Sequence, residues 1–511
     1  MNLFFLHETS GASSAREPER RQAIFAVVLA FLIAAALHII LFSSGFYGIS
    51  GDESGRTLDT VTWMRTGKPQ SDVWLPLHRI LVAAGLSLFK NYFAVPRILS
   101  FLFGLASLLG LILFARELFH RRSVTVMTAL LAAVFGPHVV LSVVPLTELE
   151  FITFMVFAMM YYVRWIRSAK PSALLAASVF AALGTTVRYE AWIFVFVFLL
   201  LLVLDSESRK AVFSKWWLPP LVILITCAFP ICWTIDSYFE YHVFLVFVSS
   251  QSGRSGHGDP KEIFKLIWRN PATQFIVQNG VSLNLLGIIP VIGFFKRDKQ
   301  IRRFLLLPAI ALIVFGAAGL AGVKFTTHNP WRVAVLWSCL MLPFTAVWVV
   351  EQQERFRKNK CKAAVVLIII FMFLCQLAWL TQKAYFTQPD YDAGIFLRTC
   401  VRPELEPGDR ILIDTRKWDY LDLLVVSNEP ELFVLNSGPY PDRPEHSVLD
   451  IEVPVDLKYL AAKRYRYLAF GTPLLFSSSA ETSGEIVFSN KEWTIYRVHS
   501  LPAFGPAESR K

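Results

Sequence analysis

Charge is what this chain has least of. Asp, Glu, Lys and Arg make up 17% of its 511 residues, where a soluble domain carries about 25%. Hydrophobic residues make up 54% and the mean hydropathy is +0.48, which excludes an ordinary soluble globular protein. Cysteine is also sparse. Of six cysteines, Cys227, Cys232, Cys339 and Cys375 lie inside apolar runs, Cys361 in a basic loop and Cys400 alone near the C-terminal end. None has metal-ligand spacing or belongs to a disulfide framework, so neither a metal nor a stapled scaffold is expected. There is no internal repeat, no low-complexity tract and, after residue 381, no Gly-rich phosphate loop. The net charge of +11 would suit nucleic acid, but the basic residues sit in short loops between apolar blocks, as membrane topology dictates. No nucleic-acid partner is expected.

What the chain has instead is a series of apolar blocks of bilayer-spanning length. They run roughly 23–43, 95–114, 123–143, 150–166, 172–188, 190–205, 217–236, 273–295, 304–321, 332–350 and 363–381, about eleven candidate spans. Residues 1–22 read as a polar cytoplasmic leader, and the first apolar block is too long for a signal-peptide core. Every second loop is basic: Arg116, Arg121 and Arg122, then Arg164, Arg167 and Lys170, then Arg209, Lys210 and Lys215, then "FKRDKQIRR", then "ERFRKNKCK". The positive-inside rule makes these loops cytoplasmic. The N-terminus is then inside and the C-terminal part outside. The first outer loop, 43–94, contains "PLHRILVAAGLSLFKNYF", which reads as an amphipathic helix lying on the membrane.

After Thr381 the composition becomes more polar. "RILIDT", "LDLLVVS", "ELFVLNS", "YRYLAFG", "EIVFSN" and "WTIYRVH" read as strands, and "YDAGIFLRTCV" and "VDLKYLAAKRY" as helices. The fold class is therefore an all-α polytopic membrane protein with a small C-terminal extracytoplasmic α/β domain. Its boundaries are a transmembrane domain over 23–381 and a soluble domain over 382–511.

Ionisable residues at a membrane edge are costly unless they serve a pathway or a site. Here a mixed set converges on the outer side: Asp52, Glu53, Arg56, His78, Arg79, Glu148, Glu150, Arg188, Glu190, Lys324, His328 and Arg332. Carboxylates suit proton removal from a hydroxyl. Guanidinium suits bidentate pairing with phosphate. Each has a plainer alternative. Asp52 and Glu53 would be a solvated turn after Gly51. Arg56 would snorkel, and His78 in "WLPLH" would belong to an interfacial anchor. Glu148 would favour a helix N-terminus. Arg188 and Glu190 in "TTVRYEAW" would pair with each other. Lys324, His328 and Arg332 in "KFTTHNPWR" would surround a proline turn.

"GDESGRTLDT", followed by "WLPLH" and "PRILSFLFGLASLLGLILFARELFHRR", resembles the GT-C glycosyltransferases over about residues 23–200. The likeness is greatest to the protein O-mannosyltransferase and lipid A aminoarabinose transferase branches. The resemblance implies a membrane glycosyltransferase, inverting, without cofactor or metal. It would move a monosaccharide from a polyprenyl-phosphate carrier to a lipid, glycan or protein hydroxyl, among membrane lipid on the extracytoplasmic face. It makes Asp52 the catalytic base, with Glu53 as neighbour or substitute; Glu148 in "LTELE" is a candidate second site carboxylate by position. Arg56 stands one residue later than the phosphate-contacting arginine of the aminoarabinose branch. His78, Arg188, Lys324, His328 and Arg332 are phosphate candidates by position. The expected location is a bacterial inner membrane, with the tail domain periplasmic. The alternative is a polytopic transporter or flippase of lipid-linked sugars, which would favour inverted repeats and midplane charges.

Overall fold

The computed structural model describes residues 17–68, 73–244, 267–320, 329–356, 359–382, 384–416, 418–436, 460, 463–471 and 484–498. Lys324, His328 and most of "VDLKYLAAKRY" lie outside the described residues.

The apolar blocks form helices. Among the described residues, seven are long and apolar enough to cross a membrane. These are α1 (Glu17–Ser43), α4 (Ala94–Phe119), α7 (Glu148–Ser168), α11 (Leu218–Tyr241), α14 (Lys299–Leu320), α15 (Val335–Arg355, entered by a 3-10 turn from Pro330) and α16 (Asn359–Thr381). Three further blocks are bent pairs. Helices α5 (Arg122–Val134) and α6 (Gly136–Val143) meet at 55°, α9 (Glu190–Leu204) and α10 (Ser206–Phe213) at 88°, and α12 (Pro271–Val281) meets the segment that continues into α13 (Ile288–Arg297) at 103°. The block expected at 172–188 is α8 (Pro171–Thr185), a shorter apolar helix.

The breaks have local causes. Pro137 opens α6 after an extended Phe135, since proline cannot continue a helix that needs its N–H. Gly136 sits against the backbone of Leu377, whose nitrogen would be 2.8 Å from any Cβ. Asp205 ends α9 and caps α10, accepting from Ser208 N at 2.9 Å. Around α4, α5, α7 and α15 the bundle is solid. Phe114, Phe135, Trp165, Phe194, Phe304 and Phe344 are among its fully buried side chains.

Two shorter helices, α2 (Asp52–Thr66) and α3 (Pro76–Leu88), fill the first long connection. After α16 come α17 (Gln388–Phe396), strand β1 (Arg410–Ile413), α18 (Tyr420–Ser427), β2 (Phe433–Leu435), β3 (Tyr465–Phe470), β4 (Gly484–Ser489) and β5 (Thr494–Val498). The sheet order is β2-β1-β3-β5-β4, with β1 parallel to both β2 and β3 and the remaining pairs antiparallel. One expectation fails here. "LDLLVVS" is not a strand but helix α18, which packs on α2 and α17. A short apolar run with two valines fits either state, and tertiary packing decides.

The sheet region is locked onto the first connection. Gly48 and Phe386 form an antiparallel bridge. Tyr47, Phe93, Phe386 and Tyr391 interleave with ring centroids 4.9 to 5.8 Å apart. Arg97 lies over the Phe93 ring at 3.9 Å and donates to Tyr47 O at 2.9 Å. The backbone leading into Asp52 is therefore held by bundle and tail together.

Candidate active site

The site starts with the stretch Gly48–Arg56. Gly51 precedes α2, whose first turn carries Asp52 and Glu53. A helix N-terminus favours carboxylates, yet the two face different surroundings. Glu53 is fully buried. Its Oε1 accepts from Ile49 N at 2.8 Å and Ser50 N at 3.1 Å, and its Oε2 from Ser50 Oγ at 2.7 Å. Burial pushes the Glu53 carboxyl above the usual glutamate range, although Arg332 and these donors oppose it. The Asp52 side chain is 41% exposed. Partial burial would raise its carboxyl, but the guanidinium groups of Arg332 and Arg56 outweigh that and hold it below the ordinary aspartate value.

Asp52 ends a chain of alternating charges. Arg332 gives Nη1 to Asp52 Oδ2 at 3.1 Å and Nε to Glu148 Oε1 at 2.7 Å. Arg188 gives Nη1 to the same Glu148 oxygen at 2.6 Å and its Nε to Glu190 Oε1 at 3.0 Å. Glu148 begins α7, Arg332 precedes α15, Arg188 lies between α8 and α9, and Glu190 opens α9. The start of α7, the entry to α15 and the α8–α9 connection thus meet at the Glu148 carboxylate. Glu148 is 1% and Arg332 6% exposed. Such a buried network persists only with its members paired, which makes it a rigid mount for Asp52. Glu148 Oε2 is buried without a hydrogen-bond partner.

Arg56, one turn along α2, lies with its guanidinium 4.7 Å from the Trp74 ring centroid. Its Nε is buried and unpartnered. Burial lowers this guanidinium more than Asp52 and Glu148 raise it. The Arg56 guanidinium has hydrogen-bonding capacity to spare.

The structure brings Asp52, Arg56, Glu148, Arg188 and Arg332 together, with Glu53 beneath the loop. His78 stands in a different pair. It is 3% exposed, with Nδ1 2.7 Å from Glu150 Oε1, while His78 Nε2 and Glu150 Oε2 have no partner. Arg79 and Asp59 form a neighbouring buried pair at 2.8 Å.

Sequence reasoning did not find the contribution of the tail. Ser54 Oγ donates to Asp422 Oδ1 at 2.5 Å, and Asp422 is fully buried. Trp418 packs on Gly51, its Cβ 3.2 Å from where a side chain would begin. A lone acid inside the apolar "LDLLVVS" was the available signal.

Comparison with known proteins agrees with this architecture. The family model for dolichyl-phosphate-mannose-protein mannosyltransferases matches residues 68–233, about a third of the chain. ArnT from Cupriavidus metallidurans, solved bound to undecaprenyl phosphate, superposes with a TM-score of 0.61 over 92% of this chain and 97% of its own, at 12% identity. The chain has the GT-C fold. The Archaeoglobus fulgidus oligosaccharyltransferase in its apo form matches with a TM-score of 0.52, over 89% of this chain and 70% of its own, at 12% identity. The same archaeal enzyme, AglB, in complex with an inhibitory peptide and a dolichol-phosphate, matches at 0.51 over the same shares. No curated protein matches in sequence. At these identities the GT-C likeness speaks to fold, and the chemistry must be argued from the site.

Proposed function

We infer that this GT-C chain is an integral membrane glycosyltransferase that takes a monosaccharide from a polyprenyl-phosphate carrier and transfers it to a hydroxyl acceptor. The observation that carries the reading is the half-exposed, ionised Asp52, fixed through Arg332 to the buried Glu148–Arg188–Glu190 network. The family model named for dolichyl-phosphate-mannose and the fold shared with a protein solved on undecaprenyl phosphate support a lipid-linked donor.

In this reading Arg332 occupies one Asp52 oxygen and leaves the other to accept the acceptor's hydroxyl proton. The acceptor oxygen then bonds to the anomeric carbon as the bond from that carbon to the carrier phosphate breaks. Attack opposite the leaving group inverts the configuration. The carrier departs as a phosphate monoester, and Arg56 is placed to receive its charge, with Lys324 and His328 as further candidates. Glu148, Arg188 and Arg332 are positioning residues for Asp52. Glu53 holds the backbone of residues 49 and 50, and the buried His78–Glu150 pair braces α3 against α7. The alternating basic loops support a site on the extracytoplasmic face, with the N-terminus inside and the tail domain outside, as in a bacterial inner membrane.

Membranes from cells expressing wild type or Asp52→Asn, given a panel of labelled polyprenyl-phosphate sugars, test this. Label is followed into lipid, protein and glycan fractions. Wild type is expected to transfer label from at least one carrier, and Asp52→Asn, at equal expression, to lose that transfer. Label that crosses vesicle membranes without forming a glycoside would mean a transporter instead.

A further inference from the structure

Three indole rings and three side-chain amides line one cavity that shares backbone with the segments carrying Asp52 and Arg332. Its volume is about 120 Å³, and the ten described residues that line it are all uncharged. Trp268, Trp331 and Trp379 supply the aromatic wall, and Gln274, Gln278 and Asn329 the polar one. Trp268 and Trp379 are each 43% exposed, whereas Trp331 and both glutamines are buried. Trp268 and Trp379 thus stand at its open side, and Trp331 and the two glutamines at its closed side.

Hydrogen bonds to backbone fix the amides. Gln274 Nε2 donates to Trp268 O at 2.6 Å and Asn329 Nδ2 to Ile49 O at 2.9 Å. Gln278 donates to Trp331 O and accepts from Ser338 Oγ at 3.2 Å. A primary amide that spends one N–H keeps a second, together with a carbonyl that accepts twice. Behind Gln278, Gln376 is 1% exposed and donates to Gln278 O at 3.0 Å. Its Oε1 is buried with no hydrogen-bond partner. Gln376 lies one helical turn before Trp379 and Leu380, both of which line the cavity.

The cavity and the reactive carboxylate share backbone on two sides. Ile49, a lining residue, stands three positions before Asp52. Trp331, another, immediately precedes Arg332, which holds Asp52 Oδ2.

We propose that this cavity seats the ring of the sugar being transferred and selects an uncharged monosaccharide. The proposal rests on the glycosyltransferase reading above and names the substrate class of the same site. The apolar C–H face of a sugar ring stacks on indole, and its hydroxyls pair with amides that both donate and accept. At about 120 Å³, against about 150 Å³ for a cavity that takes one benzene ring, the enclosed part admits no more than one ring, and the rest of the sugar would extend through the open side. Among the described residues, no lining carboxylate would pair an ammonium group on the sugar and no lining cation would pair a uronate. A prenyl chain would fill the indole wall but would not use the second N–H and the carbonyl that Gln274 and Asn329 keep.

The test is a binding measurement on the full chain in lipid nanodiscs, in an Asp52→Asn background so that bound donor is not consumed. The probes are polyprenyl phosphate alone, the same lipid carrying glucose, galactose or mannose, and the same lipid carrying a 4-amino pentose. At least one uncharged sugar is expected to bind tenfold or more tightly than the bare lipid. Trp379→Ala and Asn329→Ala should each erase most of that gain while leaving bare-lipid affinity within about threefold. Trp379→Phe should retain it, and unchanged melting temperatures exclude misfolding. Equal weakening of bare and sugar-bearing lipid would make the cavity a lipid groove and overturn the proposal. So would sugar binding indifferent to both substitutions, or tightest binding of the amino sugar. If wild type transfers sugar while these variants bind donor normally, the cavity assignment fails and the enzyme reading stands. If wild type neither binds nor transfers any carrier-linked sugar, both fail.

Discussion

Asp52 and Glu53 are neighbours with opposite electrostatics, and the difference supports the separate roles proposed for them. Arg332 and Arg56 keep Asp52 ionised despite its partial burial. Burial keeps Glu53 biased towards its neutral form, spent on the backbone of residues 49 and 50. The pH dependence follows. A base whose folded value lies below the ordinary aspartate value is already ionised at about pH 4 and above. The acid limb of kcat/KM due to Asp52 should therefore lie below that, and a limb near neutrality would belong to another group. Glu148 makes a separate prediction. Replacing it with Gln removes the one charge that neutralises both Arg332 and Arg188 in a buried setting. Removing one partner of a buried pair costs about 3–5 kcal/mol when a charge is stranded; here Arg332 keeps Asp52 and Arg188 keeps Glu190, so Glu148→Gln should lower the melting temperature without abolishing folded protein. Asp52→Asn, at a half-exposed position, should leave stability nearly unchanged. Asp52 was legible in the sequence because two acids following the first apolar span stand out at a membrane edge. That Glu148, Arg188 and Arg332 share one carboxylate oxygen was not, because they lie up to 184 positions apart.

At the scale of elements, helix periods and spans were readable, and the points where helices break were read only as continuous blocks. The α5–α6 bend turns on Gly136-Pro137, a pair visible in the sequence, but the approach of Leu377 that exploits it is a tertiary fact. Helix α18 was misread as a strand because its run is short. Its caps were nonetheless present: Asp419 before it, and Asn428 after it with φ of 67°, the left-handed conformation that ends helices. The short elements around Gly48 decide whether the Asp52 stretch is rigid. A Cβ at Gly48 would lie 2.9 Å from Phe386 Cβ, so the Gly48–Phe386 bridge requires glycine. Gly48→Ala should destabilise by about 1–3 kcal/mol, typical of overpacking. Hydrogen exchange should show faster opening of residues 45–50 and 384–396. Unchanged protection there would mean the bridge does not hold the loop.

At the scale of the whole molecule, the tail seals the site through a buried acid. Burial raises the Asp422 carboxyl well above the aspartate range, its Ser54 hydrogen bond only partly offsetting this, and Asp390 and Glu53 add to the rise. The sign follows from linkage. An acid with a raised folded value contributes fully below its unfolded value, about 3.9, and costs stability progressively as pH climbs to the folded value. Docking of the tail on α2 should therefore loosen as pH rises. Asp422→Asn, which still accepts from Ser54, should be more stable at neutral pH and flat with pH. Limited proteolysis of the 384–436 region from pH 5 to 9 would show both. The general plan of spans first and a small mixed domain last was legible from composition alone. That the last domain reaches back to cover the first helix after the first span was not, because no local pattern encodes it. The central claim is that Asp52 removes the acceptor proton in sugar transfer, and single-turnover transfer with prebound polyprenyl-phosphate sugar tests it most directly. Asp52→Asn should bind the donor within a few-fold of wild type and transfer about 10²–10⁴-fold more slowly, the range for loss of a general base. Transfer within about threefold of wild type would contradict the account and remove Asp52 from the chemistry.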